Sequence, residues 1–272
     1  MNSRRTFIGQ AALFAASALL GKSVNLNRYD SSKTLPLPSL KERKILFTYG
    51  GWPGHEPGKF KDYMVSWLES EDATVSTSDS LDVYADANFM KEIDLVIQCV
   101  TMSSITTEQE QGLLAAIKAG TGMAGWHGGM CDSFRNNPEY QFMTGGKWVA
   151  HPGGILDYSV QISQHTDAVT DGLNDFKIKS EQYYMHIDPN IKVLATTKFN
   201  GNANDWINGC VIPVAWKKTY GKGRVFYSAL GHSLQHLADT PAALTMIKRG
   251  IHWASASKYE ATENWVNPVY GL

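Results

Sequence analysis

The sequence predicts an α/β protein built around a mostly parallel sheet, and three observations carry that prediction. Residues 93–100 (IDLVIQCV) are nearly all apolar, the pattern of a central strand covered on both faces. Strand-like and helix-like segments alternate from residue 44 to residue 126, as successive β-α-β units require. Glycine pairs, Gly50-Gly51 and Gly128-Gly129, fall just past apolar runs, where strands turn into loops.

Taken in order, residues 44–49 (KILFTY) form the first buried strand. Residues 57–70 place Phe60, Met64, Trp67 and Leu68 on one face behind Pro57, which reads as an amphipathic helix opened by proline. Residues 73–77 and 93–100 are the next strands. Thr107 with Glu110 three residues on reads as a capping box. It opens a helix that presents Leu113, Leu114 and Ile117 and closes at Gly120. Residues 122–126 are the fourth strand. In the second half, Leu156, Tyr158, Val160 and Ile162 alternate with polar residues, marking a half-exposed strand. Residues 192–197 and 211–216 are further strands. Tyr220-Gly221-Lys222-Gly223 makes a hairpin turn into residues 224–230 (RVFYSAL). Thr240-Pro241 starts a last helix carrying Leu244, Ile247, Ile251 and His252.

Composition narrows the function classes. The chain has 272 residues, 43% of them hydrophobic, with 8 Trp, 12 Tyr and 10 Phe, which excludes low-complexity disorder for most of its length. A net charge of −1 lacks the basic excess of a nucleic-acid binder, so no nucleic-acid partner is expected. Cys99, Cys131 and Cys210 cannot all pair and form no C-x-x-C, which argues against a disulfide framework or a cysteine zinc site.

The amino terminus reads as an address. Ser3-Arg4-Arg5-Thr6-Phe7-Ile8 precedes an apolar run over residues 11–20, the outline of a twin-arginine signal peptide, with Ala16-Ser17-Ala18 as a cleavage site. The run falls short of the ~20 residues a spanning helix needs, so no stable membrane insertion is expected once it is removed. The expected division is a signal peptide at 1–22, a linker at 23–42, one domain at 43–256 and a tail at 257–272. The expected location is the periplasm or cell envelope.

Ligands of open parallel sheets bind beyond the carboxyl ends of the strands. Three histidines fall just there: His55 after the first strand, His127 after the fourth and His232 after residues 224–230. His151 lies in a long loop leaving the fourth strand, and Glu181 sits in an aromatic-rich strand-like stretch with Tyr183. These residues are expected to border one crevice. Gly125-Trp126-His127-Gly128-Gly129 has the outline of a strand-to-helix elbow, with His127 where a Ser or Cys nucleophile would stand. Acid–base chemistry at His127 and Glu181 is therefore expected rather than an acyl-enzyme. Trp52, Trp126 and Tyr183 are the candidate substrate-binding aromatics. His55, His151 and His232 are candidate ligands for a divalent metal, zinc first, since imidazole suits it.

Several of these motifs occur in one order. They are Gly50-Gly51 with His55, Gly125-Trp126-His127-Gly128-Gly129, Gly145-Gly146 to His151-Pro152, Asp171-Gly172-Leu173, Glu181-Gln182-Tyr183, Pro213-Val214-Ala215-Trp216, and Tyr220-Gly221-Lys222-Gly223-Arg224 to Gly231-His232. Over residues 44–254 the chain resembles the trehalose-utilisation (ThuA-like) family. The resemblance implies a class I glutamine amidotransferase-like fold, a flavodoxin-like three-layer α/β/α sandwich. It does not imply glutamine amidotransferase activity, because the elbow cysteine is replaced by His127. It implies carbohydrate catabolism on trehalose-like or 3-keto glycosides, by a lyase, isomerase or hydrolase reaction. The alternative is a carbohydrate-binding accessory protein without turnover. The expected partner is a small carbohydrate, and a homo-oligomer remains open.

Overall fold

The computed structural model describes residues 36–261. The signal peptide expected at 1–22 lies outside the described residues, as do most of the linker and the tail beyond residue 261. Residues 36–42 lie against the domain rather than away from it. Leu40 is fully buried, and His252 Nδ1 donates to the Pro38 carbonyl at 2.9 Å. Among the described residues no helix is long and apolar enough to cross a membrane.

The first half is a doubly wound α/β unit. It runs β1 (Lys44–Gly51), α1 (Pro57–Ser70), β2 (Thr74–Ser78), α2 (Ala87–Glu92), β3 (Leu95–Thr101), α3 (Thr107–Ala119) and β4 (Gly122–Trp126). β3 is buried at every position and β4 likewise, as their apolar sequences require of central strands. α1 buries Phe60, Met64 and Leu68 against the sheet. The capping box of α3 sits one residue earlier than the sequence suggests. Thr106 Oγ1 accepts from Gln109 N, and Gln109 Oε1 accepts from Thr106 N. Thr107 and Glu110 instead stand inside the first turn, where a carboxylate favours the helix dipole.

After β4 come two short helices, α4 (Gly128–Cys131) and α5 (Pro138–Thr144), and then seven strands. These are β5 (Gly146–Ala150), β6 (Ile155–Ile162), β7 (Phe176–Glu181), β8 (Tyr184–Ile187), β9 (Lys192–Lys198), β10 (Val211–Tyr220) and β11 (Gly223–Ser228). α6 (Leu234–Ala238) and α7 (Pro241–Ser255) close the domain. α7 packs on β4 and β11 and buries Met246, Ile247, Ile251 and Trp253.

Among the described residues one sheet has nine strands in the order β2-β1-β3-β4-β11-β10-β9-β6-β7. The first five are mutually parallel, and their order is the 2-1-3-4-5 of flavodoxin-like sheets. From β11 onward every neighbour pairs antiparallel. Two reversals bring β9 back to the direction of the parallel strands, and two more do the same for β7. The last residue of β7, Glu181, therefore lies at the same edge as the residues that follow β1, β4 and β11. In a flat sheet five strand spacings of about 4.8 Å would put β7 some 24 Å from β4. Glu181 nonetheless lies 3.1 Å from His127, so the sheet must curve to bring the end of β7 back toward that edge. A separate ribbon of β5 and β8 stands beside it.

One buried ion cluster supports the antiparallel wing. Asp167 accepts from Lys217 Nζ at 2.6 Å and from Lys192 Nζ at 2.8 Å, and Asp167 and Lys217 are both nearly inaccessible. Burial acts to raise the Asp167 carboxyl, but the lysines outweigh it and hold the group below the ordinary range. A carboxyl lowered in the folded state stabilises above its unfolded value and loses that contribution as the pH falls through its folded value. Asp167→Asn is therefore expected to cost about 3 kcal/mol near pH 7. The deficit against the parent should shrink below about pH 4, where the parent's own carboxyl protonates. Urea titrations of both proteins from pH 3 to pH 7 check this; a pH-independent difference would refute it.

Candidate functional site

His127 is placed by a strained turn. β4 ends at Trp126, and His127 then adopts φ 47° and ψ −140° before α4 begins. A non-glycine residue held there costs about 1–3 kcal/mol and persists only where the surroundings fix it. Here the His127 N–H donates to Ser228 O at 2.7 Å, and its carbonyl accepts from Tyr227 Oη at 3.0 Å. Gly128 follows because the His55 ring occupies its flank. A Cβ on Gly128 would lie 2.4 Å from His55 Cε1.

The structure gathers the expected histidines at one sheet edge. The ring centroids of His55 and His127 are 4.6 Å apart, those of His55 and His232 5.2 Å, and those of His127 and His232 5.4 Å. One oxygen, Glu181 Oε2, lies among them. It is 3.1 Å from His127 Nε2, 3.3 Å from His232 Nδ1 and 4.0 Å from His55 Nε2. His55, His127, Glu181 and His232 form a group whose ligand atoms all lie within 4.8 Å of one another. His151 stands on the other side of the carboxylate, with Nε2 3.9 Å from Glu181 Oε1. Its half-exposed side chain is outside the four-residue group, so His127 takes the place among the ligand candidates that the sequence assigned to His151.

The hydrogen bonds fix which ring atoms face inward. His127 Nδ1 lies 2.8 Å from the Ala229 carbonyl, which can only accept, so Nδ1 carries the proton. In the neutral ring, Nε2 then aims a lone pair at a carboxylate oxygen. A contact of 3.1 Å there is satisfied either by a proton on Nε2 or by a cation beside the two atoms. His55 Nδ1 is likewise occupied, by Thr101 Oγ1 at 3.0 Å, which leaves Nε2 facing the cluster. His232 Nδ1 is buried and has no aligned hydrogen-bond partner.

Burial decides the charge states. It pushes His55 down to about 3, helped by the neighbouring His127 and His232. It lowers His127 as well, against the opposing pull of Glu181 and the Ala229 carbonyl. Burial acts to raise the Glu181 carboxyl, but the imidazoles of His127 and His232 outweigh it and hold the group below the usual carboxylate range. Imidazoles gathered around a carboxylate are the donor types of a divalent metal site.

The cluster opens into a cavity of about 330 Å³ lined by Trp52, His55, Met102, Asp132, Arg135, Trp148, His151, Glu181 and Tyr183. Trp52 is 42% exposed on its wall. Tyr183 stacks on His127 with centroids 3.9 Å apart and is otherwise buried. Trp126 does not reach the cavity. It is 1% exposed and packs between Phe47 and Phe60, so its expected role in substrate binding gives way to one in the core. His127 is 1% exposed and is not among the residues lining the cavity, whereas Glu181 is. Cys131 is buried and its thiol is pushed up by burial, which fits the absence of a cysteine nucleophile.

A family model for trehalose utilisation, ThuA, matches residues 44–254. The chain belongs to the ThuA family. Among solved structures, a putative ThuA-like protein from Bacteroides uniformis is 15% identical with a TM-score of 0.65, over 80% of this chain and 95% of that one. Another from Parabacteroides merdae is 18% identical with a TM-score of 0.64, over 83% and 93% of the two chains. A cytoplasmic protein from Salmonella typhimurium LT2 follows at 15% identity and a TM-score of 0.53, over 80% and 100%. Identities this low show a shared fold. No curated protein matches the chain.

In this ThuA protein, sequence reasoning missed Thr101 and Ala229, which orient His55 and His127. It also missed Asp132 and Arg135 on the cavity wall. The opposite charges three residues apart, directly after the elbow, were a usable signal for Asp132 and Arg135.

Proposed function

We propose that this protein acts on a carbonyl-bearing carbohydrate of the 3-keto glycoside type, by acid–base chemistry at a metal-assisted centre. One observation carries the proposal: the ring nitrogens of His55, His127 and His232 converge on the Glu181 carboxylate, which lines an aromatic-walled cavity. The trehalose-utilisation description of the family supports the substrate class.

The donor set fits a divalent metal, zinc first. His127 Nε2, His232 Nδ1 and His55 Nε2 would hold it, a three-imidazole set of the kind that leaves a position open. When bound, such an ion polarises a substrate carbonyl. The Ala229 carbonyl holds the His127 ring in the required tautomer, and the Thr101 hydroxyl holds the orientation of the His55 ring. Glu181, ionised and on the cavity wall, takes the proton from the carbon next to the carbonyl. The electron pair of that C–H bond passes into the enolate. His151, 3.9 Å from Glu181 Oε1, stands where a proton can be passed on to a departing or neighbouring oxygen. Trp52 offers a sugar ring an apolar face.

The test is metal analysis together with turnover of 3-keto-trehalose. The purified protein should carry about one zinc per three-histidine site, lose turnover on chelation and regain it with zinc. Full turnover by metal-free protein would overturn the metal assignment. Tight sugar binding with no product would instead favour the accessory role.

A further inference from the structure

Asp132 and Arg135 line the same cavity as Glu181 yet belong to no part of the proton chemistry. Asp132 ends α4, directly after the elbow, and is 4% exposed. Arg135 Nε donates to Asp132 Oδ1 at 2.6 Å and Nη2 to Oδ2 at 2.9 Å, a bidentate pair. The guanidinium lies over the Trp148 ring, 4.6 Å from its centroid. Lys147 Nζ donates to the Arg135 carbonyl at 3.0 Å and steadies its backbone. Among the described residues no other side chain bonds Nη1 of Arg135 or the remaining lone pairs of the Asp132 carboxylate.

We propose that the Asp132–Arg135 pair, braced by Trp148, reads two adjacent hydroxyls of an uncharged sugar ring and so sets the specificity of the cavity. The class of ligand rests on the carbohydrate reading above. The recognition rests on the pair itself. A carboxylate beside a guanidinium offers an acceptor next to a donor in fixed geometry. Adjacent hydroxyls present the complementary donor and acceptor, and both bonds are charge-assisted. The pair is neutral as a whole, and the nearby Glu181 is negative. At the pair itself an anionic sugar would find the guanidinium already neutralised by the Asp132 carboxylate, so the pair favours an uncharged ring over an anionic one. Stability alone does not account for the pair, because an ion pair with a 41% exposed arginine contributes little.

The test is binding, measured by titration calorimetry on the full protein, with turnover recorded separately. The probes are methyl α-glucopyranoside, its monodeoxy analogues and methyl glucuronide. The parent protein should bind two analogues, each lacking one of a pair of neighbouring hydroxyls, about tenfold more weakly than the full sugar. It should also bind the glucuronide more weakly. Arg135→Met should weaken binding of the full sugar about tenfold and bind the deoxy analogues no worse than it. Asp132→Asn, which keeps the shape of the buried side chain, should do the same, and unchanged zinc content in both variants would separate this from damage to the metal site. Retained discrimination in Arg135→Met, a preference for the glucuronide, or no sugar binding by the parent would overturn the proposal. Loss of discrimination together with undiminished turnover in a Glu181 variant would leave it standing and remove the proposed reaction instead.

Discussion

Glu181→Gln is expected to lower turnover about 10³-fold, the scale of losing a positioned general base. The amide keeps the side chain's size but removes the charge, and at any pH it cannot accept the substrate proton. Because three histidines are assigned to hold the metal, zinc content should persist in this variant. His127→Ala should behave in the opposite way, losing metal and activity together, since its ring sits 1% exposed behind the cavity wall. Metal analysis with steady-state kinetics on both variants separates the two roles. Equal loss of zinc in both would make Glu181 a ligand rather than the base, and full turnover in Glu181→Gln would sink the mechanism.

The second large effect is on stability. Trp126→Ala should cost about 4 kcal/mol, the upper part of the range for emptying an aromatic site in a core. The ring lies against Phe47, 6.2 Å between centroids, and Phe60, 5.2 Å. It also fills the space beside Gly231, where a Cβ would come within 2.9 Å of its Cδ1. Trp52→Ala, at a 42% exposed position, should change stability by no more than about 0.5 kcal/mol and weaken sugar binding instead. Urea unfolding of the pair decides between them. A Trp126 variant as stable as its parent would return that residue to the list of binding candidates.

The contrast between these tryptophans shows what was legible in the sequence. The parallel half reads directly, because strands buried on both faces are apolar throughout and their connections are helices with clear faces. The rule that ligands gather beyond strand ends then places His55, His127 and His232 together without any coordinates. Trp126 and Trp52 both follow or end apolar runs, and nothing in their spacing separates a ring turned into the sheet from one turned out of it. His127 and His151 change places for a related reason. His151 follows β5 in the separate ribbon, whose pairing with β8 the sequence pattern does not reveal. Glu181 was legible as a candidate, but not the path that brings it home, since that depends on four antiparallel pairings and the coiling of the sheet.

That path means the site joins inner strands of the sheet to its outermost one. The histidines belong to the parallel half, while Glu181 ends the outermost strand of the wing, 54 residues from His127. An ion held by the histidines would face the ionised Glu181 carboxylate and draw the end of β7 toward the parallel half, so its binding energy would appear as protection of β6 and β7 rather than of the whole domain. Amide hydrogen exchange should therefore quicken in the outer wing when metal is withdrawn, while β3 and β4 keep their protection. The reactive centre would in that case double as the latch that keeps the outermost part of the sheet closed.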